Sequence, residues 1–275
     1  MIIAHTINEV KEHVIEWKKK GLSIGLVPTM GYLHEGHASL IKKARTDNDI
    51  VIVSDFVNPI QFGAGEDLED YPRDFEADCK LCTSLGIDLI FNPNPSEMYL
   101  KGFHSYVGVD TLSAGLCGKS RPIHFNGVCT VVSKLFNITE ANRAYFGKKD
   151  AQQLCIVKRM VRDLNFNIEI IGCPIIREED GLAKSSRNTY LNATERAAAT
   201  ILHKALTKGE DMIRNGEKKS HTIINEIKSI LEKEPLARID YVELVDSDEL
   251  QPVDTINGGI LCAIAVYIGK ARLID

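Results

Sequence analysis

The chain has 275 residues, of which 44% are hydrophobic, 26% charged and 7% aromatic, and it carries a formal net charge of -5 with a pI near 5.9. These values exclude a disordered or low-complexity chain and an overall field that would gather nucleic acid, and the length leaves room for one large domain or two modest ones. No apolar run approaches the roughly 20 residues needed to span a bilayer, and Met1-Ile-Ile-Ala-His5 lacks the basic and apolar regions of a signal peptide. The expectation is a cytoplasmic protein acting on small molecules, without nucleic acid or membrane as a partner. The seven cysteines form an odd, scattered set that suits buried thiols in a reducing compartment. Cys79 and Cys82 have CxxC spacing, but with no second pair and no partnered histidine they read as a helix face rather than a metal or redox site.

Along the chain, short β-branched runs alternate with amphipathic patterns, the signature of parallel strands joined by crossover helices. Strands are expected at 23–27, 50–57, 88–92, 143–146 and 168–176, with one more at 105–109. Helices are expected at 8–20, 36–46, 74–85, 127–137 and 151–164. Gly and charge cluster at 177–187, which marks a domain boundary. Beyond it come long helical stretches at 194–214 and 220–233, then alternating runs at 238–245 and 259–268 that read as a small antiparallel sheet. The fold class is therefore α/β: a Rossmann-like parallel-sheet domain over residues 1–176 and a smaller C-terminal α+β domain over 177–275.

Four polar motifs carry the chemistry, three of them directly after a strand candidate, where an open parallel sheet binds its ligands. In the first, Pro28-Thr-Met-Gly-Tyr-Leu-His34-Glu-Gly-His37, the glycines let the backbone turn tightly against a phosphate. The helix that follows presents free N–H groups and its positive dipole end, and His34 and His37 can donate to phosphate oxygens. In the second, Asn58-Pro-Ile-Gln61 presents two amides that can donate and accept at once, as a hydroxy acid requires. The glycine-rich acidic stretch 63–70 after it is either a mobile gate or a solvated loop. The third, Gly147-Lys148-Lys149-Asp150-Ala-Gln-Gln153, offers ammonium groups for triphosphate charge, a carboxylate for Mg2+, and Gln153 one turn into a helix. The fourth, Lys184-Ser185-Ser186-Arg187, combines two cations with two hydroxyls, a set suited to phosphate. Arg121 and His124 precede the helix near Gly127, where they either touch substrate or brace that helix.

These strings, together with Phe56-Val-Asn-Pro-Ile-Gln61-Phe, Tyr71-Pro-Arg73, Arg121-Pro-Ile-His124-Phe, Tyr145-Phe-Gly-Lys-Lys-Asp150 and Ser185-Ser-Arg-Asn188, run in the order found in the pantoate-β-alanine ligase family (the pantothenate synthetases) of the HxGH nucleotidylyl transferase superfamily, which the chain resembles across essentially its whole length. The resemblance implies ATP-dependent condensation of pantoate with β-alanine through a pantoyl adenylate, with AMP and pyrophosphate released. It implies an ATP site formed by Met30, Gly31, Tyr32, Leu33, His34, Glu35, Gly36, His37, Gly147, Lys148, Lys149, Asp150, Ile176, Lys184, Ser185, Ser186 and Arg187. It further implies His34, His37 and Lys149 as catalytic residues, Gln61 and Gln153 at pantoate, Gln61 also at β-alanine, Asp150 at Mg2+, and a homodimer. The segment 184–187 is the counterpart of the mobile KMSKS loop of related adenylating enzymes. Three positions depart from the family pattern: Asp55, where an apolar residue is usual, Ile123, and Lys184, where methionine is common. A carboxylate substrate is already ionised at neutral pH, so its attack on phosphorus calls for alignment and charge stabilisation rather than a base. The rival readings are a nucleotidyltransferase that moves AMP onto a phosphate ester, which would want more cations than Gln61 and Gln153 supply, and a nonenzymatic nucleotide sensor or RNA-binding synthetase relative.

Overall fold

A computed structural model of the protein describes all residues, Met1 to Asp275. Contacts group the chain into two compact units, the first formed by Met1–Asp110 with Arg121–Pro174 and the second by Thr111–Ser120 with Ile175–Asp275. The main division therefore falls beside the expected boundary at 176, but the excursion 111–120 belongs to the second unit, whereas chain order alone assigns it to the first.

The first unit contains β1 (Ile2–Ala4), α1 (Ile7–Lys19), β2 (Ile24–Thr29), α2 (Glu35–Asp47), β3 (Ile50–Asp55), α3 (Phe75–Ser84), β4 (Leu89–Phe91) and α4 (Pro95–Met98). The second unit then takes α5 (Cys117–Ser120), and the first continues with α6 (His124–Thr139), β5 (Arg143–Gly147), α7 (Ala151–Asp163) and β6 (Glu169–Cys173). Its six strands form one sheet in the order β1-β4-β3-β2-β5-β6, and every pairing is parallel. β3 is buried at all six positions, as a strand covered by helices on both faces must be. One layer of core packs Ile41 and Ala44 of α2 against Val27, Val51 and Val53.

The order reverses beside β2, with β3 and β4 on one side and β5 and β6 on the other. There the β2–β5 ladder holds at only two positions, Gly25 opposite Arg143 and Leu26 opposite Ala144, whereas β2 pairs with β3 along all six residues. The carboxyl ends of β2 and β5 thus part from one another, and such a reversal is where open α/β sheets open a ligand crevice.

The second unit completes its set with α8 (Ala193–Ala198), α9 (Ile201–Arg214), α10 (Ser220–Leu231), β7 (Ala237–Asp246), β8 (Ile260–Ile268) and β9 (Ala271–Ile274). The three strands are antiparallel, and their inner face packs Val242, Leu244, Ile264 and Val266 against Leu202, Ala205, Ile223 and Ile227 of the helices. α5 is tied into this unit by Ser120 Oγ donating to Asp240 at 2.9 Å and by a 3.2 Å contact between Cys117 Sγ and the Tyr241 hydroxyl.

Four expectations need correction. Residues 105–109 are not a strand; the Val107 N–H is taken by Thr130 Oγ1 of α6 at 3.0 Å, so no sheet neighbour receives it. The single helix expected over 194–214 is broken at Ala199–Thr200 into α8 and α9, where the Thr200 hydroxyl bonds the Ala197 carbonyl and competes with the helical pattern. The strand expected over 168–176 stops at Cys173. The short strands β1 and β9 have no counterpart among the expected elements.

Candidate active site

Beyond Thr29 the chain turns through two residues in the left-handed region, Gly31 at φ 78° and Tyr32 at φ 52°. Gly31 is required twice, for that conformation and because a Cβ there would overlap Asp55 Oδ1. Tyr32 has no such freedom; it is held in place by Asp78 of α3, whose Oδ2 accepts the Tyr32 N–H at 2.7 Å and whose Oδ1 accepts the Leu33 N–H at 2.6 Å. Thr29 Oγ1 accepts the Gly31 N–H at 3.1 Å, which closes the turn from within.

His34 is the N-cap of α2, and the cap consists of two imidazoles. Nδ1 of His34 accepts the Gly36 N–H at 3.1 Å, and Nδ1 of His37 accepts the His34 N–H at 3.2 Å. A ring that accepts at Nδ1 carries its proton on Nε2. The rings lie 4.2 Å apart between centroids. Gly36 is what lets His34 fold back, because a Cβ at that position would sit 2.7 Å from its Cε1. His37 titrates at about 3, lowered by burial first and then by the charges of His34 and Lys149. It is therefore neutral at physiological pH. Since Lys149 acts on His37, the turn after β5 faces the turn after β2 across the parted strands.

Lys149 and Asp150 lie in a single 3-10 turn, Lys148–Asp150, between Gly147 at the end of β5 and the start of α7. Their charged atoms are 3.9 Å apart, with the lysine side chain 17% and the aspartate 48% exposed. Gln153 is on the first turn of α7 and half-buried. No group of three or more His, Cys, Asp or Glu side chains could together hold a metal ion. A divalent cation at Asp150 would have one protein carboxylate and would complete its shell with phosphate and water, which fits the coordination habits of Mg2+.

Gln61, itself buried, closes the 3-10 turn Pro59–Gln61, and its amide is fixed at both ends. Asn58 Nδ2 donates to Gln61 Oε1 at 3.0 Å, and Gln61 Nε2 donates to Met30 Sδ at 3.0 Å. Asn58 is oriented in turn by Tyr99, whose hydroxyl donates to Asn58 Oδ1 at 2.7 Å, and by the Gly127 carbonyl, which accepts at 3.1 Å. Gly127 of α6 passes so close that a Cβ would lie 2.6 Å from the Gln61 backbone nitrogen. Sequence reasoning misses Tyr99 and Gly127 as supports of the site, Gly127 because it reads as the start of a helix rather than a position within one. His124 lies against the same turn, its Nδ1 3.1 Å from the Gln61 carbonyl. Arg121 reaches Glu66 with Nε at 2.9 Å, and Arg73 donates to the carbonyls of Leu68 and Tyr71 at 2.9 and 2.8 Å. Two guanidinium groups thus clasp the glycine-rich stretch 63–70.

In the second unit, Ile176 and residues 184–187 belong to one local structure. The Lys184 N–H donates to the Ile176 carbonyl at 2.9 Å, the chain turns at Gly181, and Glu178 N–H donates to the Leu182 carbonyl at 2.8 Å. The Lys184 ammonium pairs with Glu178 at 2.9 Å. Ser185 is an N-cap whose hydroxyl accepts the Arg187 N–H at 3.3 Å, and Ser186 is buried. The departure at Lys184 therefore brings its own counterion.

A family profile described as Pantoate-beta-alanine ligase matches residues 2–275. A pantothenate synthetase of Clostridium botulinum (strain Loch Maree / Type A3) is 62% identical over 275 residues, covering 100% of this chain and 98% of that protein. One from Enterococcus faecalis is 61% identical, covering 100% and 98%. The crystal structure of pantothenate synthetase from Thermus thermophilus superposes with a TM-score of 0.94 at 43% identity over 100% of this chain and 98% of that one. That of pantoate-beta-alanine ligase from Francisella tularensis, complexed with beta-gamma ATP and beta-alanine, has a TM-score of 0.82 at 38% identity and covers 100% and 96%. A profile that spans the chain from its second residue to its last, and relatives matched end to end at this identity, show that the chain belongs to the pantoate-β-alanine ligase family.

Proposed function

We propose that the parted carboxyl ends of β2 and β5 hold ATP while pantoate attacks it, and then the pantoyl adenylate while β-alanine reacts. The chain is an amide-forming ligase of this family, and the residue roles below are our assignment. The observation that carries it is the two-imidazole cap at the sheet's reversal point, with both Nδ1 atoms committed to backbone N–H groups and Lys149 acting across the cleft.

In the first half-reaction the pantoate carboxylate attacks the α-phosphorus of ATP, and the bond to the bridging oxygen breaks to release pyrophosphate. Charge builds on phosphate oxygens, and the groups aimed at them are preorganised donors: N–H groups at the start of α2, Nε2–H of His34 and His37, and the Lys149 ammonium. His37, neutral with its proton on Nε2, acts as a hydrogen-bond donor rather than as a cation. Met30, Gly31, Tyr32, Leu33, Glu35 and Gly36 supply the turn's backbone. Gly147, Lys148 and Asp150 supply the opposite wall, and Ile176, Lys184, Ser185, Ser186 and Arg187 are assigned to the nucleotide as well. Asp150 would hold Mg2+, which would neutralise triphosphate charge. Gln61 and Gln153 orient pantoate through its hydroxyls and carboxylate. In the second half-reaction the β-alanine amine, next to Gln61, attacks the acyl carbon, and AMP leaves. Support for the ATP and β-alanine assignments comes from the Francisella tularensis relative, whose complex contains beta-gamma ATP and beta-alanine. The family match favours a carboxylate acceptor over a phosphate ester. Cytoplasmic location and a homodimer complete the proposal, in keeping with the family resemblance; no helix is long and apolar enough to cross a membrane.

The test is exchange of labelled pyrophosphate into ATP by purified protein, with and without pantoate. Exchange that depends on pantoate is expected; exchange indifferent to it removes pantoate as the acceptor.

A further inference from the structure

The mechanism leaves unused one buried acidic residue, Asp55, which is 6% exposed at the last position of β3 and in register with Thr29 of β2. Its Oδ1 and Asp78 Oδ2 converge on the same point, the space that a Cβ at Gly31 would occupy, and its Oδ2 has no hydrogen-bond partner. Asp78 is 2% exposed and uses both oxygens to accept the Tyr32 and Leu33 N–H groups. Two buried carboxyls brought to one point cannot both ionise without a large cost, so one of them keeps its proton. Asp78, with two backbone donors, is the better anion; Asp55, with a bare oxygen and no donor, is the better acid.

We propose that Asp55 is a positioning residue: as a carboxylic acid it donates to Asp78 and locks that carboxylate onto the Tyr32 and Leu33 amides, fixing the turn that presents His34 and His37 to the nucleotide. The surroundings support this protonation pattern. Burial first, and then the charge of Asp78, raise the Asp55 carboxyl to about 7, and no cation contributes there. On α3, Asp74 adds negative charge at Asp78, and the thiols of Cys79 and Cys82 are pushed up, by burial first and then by both carboxyl groups. From beside β4, Asn92 Nδ2 donates to the backbone carbonyl of Asp55 at 2.9 Å and leaves the carboxyl alone. Once Asp55 ionises, two anions face the turn and the lock is lost.

The sign of the pH dependence follows. A carboxyl whose pKa is raised on folding gives stability that is fully present below about 4 and lost as pH rises through about 7. The experiment compares the full-length wild type with Asp55→Asn, whose amide donates at every pH, and with Asp55→Leu, which fills the space without a donor. Melting temperature and KM for ATP are measured from pH 5 to 9. Wild type should lose melting temperature relative to Asp55→Asn as pH rises, and its KM for ATP should rise over the same interval while that of Asp55→Asn stays flat. Asp55→Leu should raise KM for ATP by about tenfold even at pH 6, the scale of one lost hydrogen bond to a charged group, with kcat changed less. A melting-temperature difference that is constant with pH overturns the buried proton. A correct thermal pattern with unchanged KM overturns the positioning role, which rests on the proposal that this turn holds ATP; the thermal arm does not depend on it. If Asp55→Asn fails to fold, carbon NMR of aspartate-labelled wild type decides: one carboxyl titrating near neutrality supports the proposal, and its absence overturns it.

Discussion

The turn after β2 and the segment from Ile176 to Arg187 both carry residues suited to gripping phosphate, but they are made differently. The first carries no lysine or arginine between Pro28 and His37. It relies on the open end of a helix and on two imidazoles, each held by a backbone N–H. The second has lysine and arginine, and its lysine is already paired with Glu178 at 2.9 Å. Fixed dipoles need no reorganisation when charge develops on a ligand, whereas a paired cation must first exchange its partner. The β2 turn should therefore contribute mainly to the rate of adenylation and the 184–187 segment mainly to nucleotide retention.

Three sets of substitutions test this contrast. The largest effect is expected from His37→Ala and Lys149→Ala, each of which should lower kcat for adenylate formation by about 100-fold or more while thermal melting stays cooperative; near-normal turnover in either variant removes that residue from the catalytic set. Gly36→Ala should have an intermediate effect. Its Cβ would displace the His34 ring from a 2.7 Å approach, losing a cap worth about 1 kcal/mol, while alanine regains roughly 1 kcal/mol of helix propensity. Activity should thus fall about tenfold at nearly unchanged melting temperature, and a parallel loss of both would mean that the cap is structural only. The smallest effect belongs to Lys184→Met. Its ion pair is partly exposed at 17% and 35% and worth at most about 1 kcal/mol, so KM for ATP should move less than about threefold, kcat should stay constant, and a large fall in kcat would erase the distinction between the two segments.

The parts of the site that lie within one stretch of sequence were legible. Pro28 to His37, Asn58 to Gln61 and Gly147 to Gln153 each follow a strand, and hydrophobic periodicity locates those strands. What periodicity could not show was support arriving from far along the chain. Asp78 reaches Tyr32 across 46 residues, Tyr99 orients Asn58 across 41, and Gly127 makes room for Gln61; nothing local to these residues announces the partner. Asp55 stood out as unusual in an apolar strand, yet its meaning depends on a second acid on another element. The strand expected at 105–109 shows the reverse error, because alternation alone says nothing about whether a neighbouring strand is present to accept the pairing. The two-residue edge between β2 and β5 is likewise invisible to a reading in which each strand is judged separately.

The histidine cap also bears on metal selectivity. Two imidazoles with centroids 4.2 Å apart resemble half of a zinc site. An imidazole that binds a metal through Nε2 must carry its proton on Nδ1 and donate it to an acceptor. Here both Nδ1 atoms face backbone N–H groups, so metallation would set donor against donor and unwind the first turn of α2. The same hydrogen bonds that fix the two rings therefore make them poor ligands for zinc, nickel or copper.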